Sequence, residues 1–193
     1  MSHSVHEYDC FLSHDWGEDH KNHAEVEKVS AELKRLGFKP WFDSDDMKGD
    51  IASAMANGMD ASNIVLIFIT QRYLAKVNST NVSDNCFKEF RYTFAQKKKY
   101  ILVLMDPRVR PADMNSGVVG MHVADTLYVN MSKGLRMDEL VKEMQINGVV
   151  PRKAEVNTQT TLTFELLFKQ APSPPFVVEY PFLDIPQHPS PLP

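Results

Sequence analysis

The chain has 193 residues, 43% hydrophobic and 24% charged, which suits one domain with a real core plus a tail and is too short for two separate cores. A net charge of −4 offers no basic field for a nucleic-acid backbone, and no apolar run approaches the roughly 20 residues of a membrane span, so neither nucleic acid nor membrane is an expected partner. Two cysteines, Cys10 and Cys86, show neither disulfide nor zinc spacing, and residues 1–7 lack an apolar signal core, so the expected location is cytoplasmic and the chain is read as soluble.

Across residues 8–128 apolar runs alternate with segments of helical period, the pattern of a parallel sheet covered by helices on both faces. The expected fold class is α/β, flavodoxin-like, with three layers and a central five-stranded parallel sheet. Strands are expected at 8–13, 39–43, 63–70, 100–105 and 126–129. The third and fourth, over 64–69 and 101–104, are apolar on both faces, as befits central parallel strands. Between the first two, Ala24, Val26, Val29, Leu33 and Leu36 recur at helical spacing and Gly37 follows as a stop. A short helix is expected over 51–61 and a last one over 137–146.

A helix over 85–98 carries Phe87, Phe90 and Phe94 as one stripe, with Glu89 off it on the side of Cys86 and Thr93. The run Lys97-Lys98-Lys99 reads as cations complementing the negative end of that helix. Domain organisation is expected to be 1–150 followed by an extension, 151–193. There 158–168 reads as an extra strand, and eight of the twelve prolines fall at 172–193, a composition for extended structure docked on the domain or on a neighbouring copy.

Several motifs occur in order. Tyr8-Asp9-Cys10-Phe11-Leu12-Ser13 opens the series, Trp41-Phe42-Asp43 and Gly49-Asp50-Ile51 follow, and Cys86 with Glu89 three residues on closes it. Over residues 7–147 the chain resembles a Toll/interleukin-1 receptor (TIR) domain. Members of that family are either partner-recruiting modules or enzymes that cleave NAD+. The loop 44–51, opening on Ser44 and closing on Ile51, corresponds to the family's BB loop and lacks the proline usual in recruiting members, which places the chain nearer the plant, bacterial and axon-degeneration enzymes. Asn85 departs from the tryptophan that many enzymatic members carry.

The resemblance implies that Glu89 is catalytic. Cleavage of the nicotinamide–ribose bond has oxocarbenium character, so a carboxylate beside the ribose offsets developing positive charge, and the cationic leaving group needs no proton donor. Products would be nicotinamide with ADP-ribose or a cyclic isomer, in immune or stress signalling, with NAD+ as substrate and no cofactor. From position alone, Glu89 reads as a solvent-exposed first-turn glutamate favoured by its helix dipole; the ordered family motifs are what turn the reading to catalysis.

In the loop 14–19, Trp16 offers a surface for a nicotinamide or adenine ring, or else a lid on the first helix, and Ser13 and His14 offer hydrogen bonds to ribose or phosphate. Asp15, Asp43, Gly49, Ile51 and Cys86 complete the expected substrate-binding set. Self-association through the loop 44–51, and assembly with other TIR domains, are implied too. The alternative is a scaffold acting by such assembly without chemistry.

Rival readings fit poorly. Asp43, Asp45, Asp46 and Asp50 lack calcium-loop spacing, and His3, His6, His14, His20 and His23 read as solvated rather than metal-bound. A receiver domain would need an aspartate ending the third strand, where Phe68-Ile69-Thr70 stands, and no Gly-rich phosphate loop follows the first strand.

Overall fold

In the computed structural model of the chain, β3 (Ser62–Ile69) sends Ile64, Leu66 and Phe68 to one face of the sheet and Val65, Ile67 and Ile69 to the other, all fully buried. The structure describes residues 6–42 and 50–152. The other strands are β1 (Tyr8–Ser13), β2 (Pro40–Trp41), β4 (Lys99–Leu104) and β5 (Tyr128–Asn130). All pair in parallel, in the order β2-β1-β3-β4-β5, so the flavodoxin-like sheet is observed. Asp43, Ser44, Gly49, the rest of 43–49 and the proline-rich segment after Arg152 lie outside the described residues, as do His3, Asp45 and Asp46.

Helices cover both faces. On one lie α1 (Lys21–Arg35) and α7 (Met137–Ile146), where Val26, Val29, Leu33, Leu140 and Met144 pack on Cys10, Leu12 and Ile64. On the other lie α2 (Ile51–Ala61), α3 (Gln71–Asn78), α4 (Asn85–Ala95), α5 (Pro111–Met114) and α6 (Gly117–Val123). Asp50, Thr70 and Asp84 each cap the helix that follows by accepting backbone N–H groups, Asp50 from Ser53 at 2.9 Å and Thr70 from Tyr73 at 2.9 Å. Among the described residues no helix is long and apolar enough to cross a membrane.

The differences from the expected elements have local causes. Helix α3 follows its Thr70 cap and was not anticipated, nor were α5 and α6. Strand β3 stops at Ile69 because Thr70 leaves the ladder to cap α3, and β5 begins at Tyr128 because the Thr126 N–H closes a turn onto the Val123 carbonyl. Strand β2 is only two residues long: the Lys39 N–H goes to the Asp9 carboxylate at 2.6 Å instead of a strand partner.

Helix α4 stops at Ala95, since Lys97 takes a left-handed φ of 51° and Lys98 N–H reaches back to the Thr93 carbonyl. Two of the three lysines reach the ends of other helices than the one expected. Lys98 Nζ donates to the carbonyls of Asp60 and Ser62 at the end of α2, and Lys99 Nζ to that of Asn147 at the end of α7.

Gly58, inside α2, has a steric purpose: a Cβ there would lie 2.5 Å from the Trp41 indole, which is stacked on Phe11 with ring centroids 4.4 Å apart. Helix propensity alone would make Gly58→Ala stabilising by about 1 kcal/mol. Overpacking against a buried ring costs about 1–3 kcal/mol, so the substitution is expected to lower the urea midpoint without changing the slope. Cys10 and Cys86 are both buried free thiols, and burial first, with Asp9 beside Cys10 and Glu89 beside Cys86, pushes both well above the usual thiol range. Because the thiolate is the reactive species, iodoacetamide at neutral pH should label neither in the folded protein and both in urea, as read by mass spectrometry.

Candidate active site

The sheet reverses its winding between β1 and β3, with β2 on one side and β3 on the other, and the carboxyl ends of strands at such a switch point are where α/β folds bind ligands. Two cavities open at this edge. The first, about 430 Å³, lies within the ~300–1,000 Å³ typical of small-molecule sites and has Glu89, Cys86, His14, Trp16, Lys76 and Ile51 among its lining residues. The second, about 700 Å³, opens over Asp15, Thr70, Arg72, Asp106 and Arg108.

Glu89 reaches the first cavity because Asp84 starts α4 by accepting the N–H groups of Cys86 at 2.8 Å and Phe87 at 3.4 Å, which sets the helix phase. Phe87 and Phe90 then face the core, and Cys86, Glu89 and Thr93 form the adjacent buried strip. Glu89 is 9% exposed, beyond the first turn, so it is not the solvated glutamate that position alone would also allow. Its Oε2 accepts a 2.6 Å hydrogen bond from Ser13 Oγ, and Ser13 Oγ lies 3.1 Å from the Tyr73 hydroxyl.

The other lining groups are equally anchored. The Cys86 thiol donates to the His14 carbonyl at 3.6 Å, and Lys76 Nζ sits 3.8 Å from Cys86 Sγ and 3.1 Å from the Asp84 carboxylate. His14 is buried rather than solvated. A carbonyl can only accept, so the Nδ1 facing the Leu12 carbonyl at 2.9 Å carries a hydrogen; in the neutral ring Nε2 accepts from His23 Nδ1, also at 2.9 Å. The ring stacks on His23 and Phe42. Trp16 packs at a tilt on His20 and His23 yet stays 47% exposed, leaving indole surface open to the cavity. Among the described residues no cluster of three or more metal-ligating side chains is assembled.

Of the expected site residues, Glu89, Cys86, His14, Trp16 and Ile51 thus share one cavity. Ser13 is buried behind it and touches Glu89 instead. Asp15 is not brought there: it is 1% exposed beside the second cavity, accepting from the Gly17 N–H at 2.8 Å, from Asn22 Nδ2 and from the Thr70 hydroxyl. Asp43 and Gly49 lie outside the described residues. Sequence reading missed Lys76, Asp84 and the partnership of Tyr73 with Ser13. The Asp84 cap before a helical run was the available signal; Tyr73 and Ser13 lie 60 residues apart and carried none.

Comparison with known proteins agrees with this architecture. Residues 10–144, well over half of the chain, match the family model described as TIR domain. Among solved structures, the TIR domain of the Toll-related receptor TRR-2 from the lower metazoan Hydra magnipapillata is similar at 15% identity, covering 72% of this chain and 98% of that one, with a TM-score of 0.51. The TIR domains of the activated Roq1 resistosome directly recognizing the pathogen effector XopQ align at 14% identity over 84% of this chain and 99% of that one, with a TM-score of 0.45. No curated protein matches. With the family model spanning the sheet and the Glu89 helix together, this chain belongs to the TIR domain family.

Proposed function

We propose that the chain is an NAD+ nucleosidase that cleaves the nicotinamide–ribose bond at Glu89. The observation that carries this reading is a buried carboxylate on the wall of a ligand-sized cavity that also presents an open indole, Trp16, and an ammonium group, Lys76. As the bond breaks, its electrons leave with nicotinamide, which departs neutral, and positive charge grows on the ribosyl carbon. A carboxylate in a desolvated site offsets that charge far better than one in water. Water adds to the carbon and releases a proton, giving ADP-ribose, or an atom of the same ADP-ribosyl group adds and closes a cyclic isomer. Trp16 would stack a base, and Lys76 would face the anionic diphosphate.

A second reading, a TIR scaffold acting by assembly in immune or stress signalling, is favoured by one observation. Asn85, where many enzymatic relatives carry tryptophan, lines the same cavity and offers no aromatic wall. In either reading we propose self-association through the loop 44–51; Ile51 at its end is half exposed on the cavity rim.

The test is nicotinamide release from NAD+ at high protein concentration with a crowding agent, followed by chromatography. Glu89→Gln should reduce release by about 10²-fold or more while leaving the melting temperature within a few degrees of the parent. No release from a parent protein that light scattering shows to be assembled would favour the scaffold. Trp16→Ala should raise KM for NAD+ about tenfold, the loss of roughly 1.4 kcal/mol of stacking, with a smaller effect on kcat.

A further inference from the structure

Resting on the nucleosidase reading, we infer that Tyr73 and Ser13 form a buried relay of hydroxyl groups that orients the Glu89 carboxylate, making both positioning residues that do not touch substrate. The three groups come from α3, β1 and α4 and meet in one chain: the Tyr73 hydroxyl 3.1 Å from Ser13 Oγ, and Ser13 Oγ 2.6 Å from Glu89 Oε2. Its direction follows from chemistry. An ionised carboxylate only accepts, so the Ser13 proton points to Glu89, and the Ser13 oxygen accepts from Tyr73. Burial first, then the neighbouring Cys86 and Glu89, hold the Tyr73 phenol well above its ordinary range, so it keeps the proton it donates.

Tyr73 and Ser13 are 0% and 1% exposed, and neither lines the Glu89 cavity. Core packing alone would be served as well by Phe and Ala, which bury no hydroxyl. What the hydroxyls add is control over the glutamate's terminal torsion, which is broad and nearly unrestrained unless an oxygen is anchored. Tyr73 is itself fixed, since its N–H donates to Thr70 Oγ1 at 2.9 Å and the Thr70 hydroxyl donates to the buried Asp15. A carboxylate anchored from behind keeps its plane while substrate enters from the front.

The experiment compares the parent with Ser13→Ala and Tyr73→Phe, full chains, in nicotinamide release. Losing a hydrogen bond to a charged group should lower kcat about tenfold in Ser13→Ala, and the relayed loss about threefold in Tyr73→Phe, with KM for NAD+ within about twofold of the parent in both. Unchanged kcat, or a KM that rises while kcat holds, would overturn the inference. A second readout needs no turnover: the carboxyl of Glu89, followed by carbon-13 NMR without NAD+, should titrate about one unit higher in Ser13→Ala, because a donor to the charged form has gone. Among the described residues the titratable groups around it, His14 and Asp15 after β1, Tyr73 and Lys76 on α3, Asp84 and Cys86 at the start of α4, are the same in both proteins. Coincident titrations overturn the relay. If the parent releases no nicotinamide, the nucleosidase reading falls and the titration alone decides whether the relay holds the carboxylate.

Discussion

A strand buried on both faces has no place along its length for a polar side chain, because each unsatisfied polar group there costs about 1–3 kcal/mol. The middle stretches of β1 and β3 are of this kind, and among the described residues the buried polar groups Ser13, His14, Asp15, Thr70, Glu89 and Asp106 gather around the carboxyl edge of the sheet, each with a hydrogen-bond partner, while Ser62 opens β3 at the other end and Ser30 and Thr93 lie on helices. The constraint concentrates buried polar groups at this edge. It also explains why Glu89, on a helix rather than a strand, is held by a residue from the end of β1.

The same edge is divided. Asp15 after β1 and Thr70 after β3 are joined by a hydrogen bond across the switch point, and each lines the wider cavity. On that side the carboxylates Asp15 and Asp106 are committed to backbone and side-chain donors, including a two-point ion pair of Asp106 with Arg108. On the other side Glu89 accepts from Ser13 through Oε2 and lines a smaller space with Trp16 and Lys76.

Much of this was legible in the sequence because it rests on periodicity. The unbroken apolar runs of β3 and β4, the stripe of α1 and the spacing of Phe87, Phe90 and Phe94 all report burial directly, and the last placed Glu89 on the strip with Cys86 and Thr93. Helix α3 was not anticipated because eight residues give barely two turns, although the Thr70 cap and the Tyr73, Leu74, Val77 pattern are visible once the strand end is known. Contacts between distant residues left no trace. Nothing local tells that Ser13 meets Glu89, that Asp15 turns to the wider cavity two residues after Ser13, or that Lys98 and Lys99 reach the ends of α2 and α7.

Under the proposed nucleosidase reading, NAD+ would enter the cavity of Glu89 and not the wider one beside it. Amide and indole chemical shifts of the Glu89→Gln protein, recorded as NAD+ is added without turnover, test it most directly. Saturable shifts are expected at the Trp16 indole, Asn85 and Cys86, with Asp15, Arg72 and Arg108 unmoved. Shifts centred on Arg72 and Arg108, or none at saturating NAD+, would contradict it.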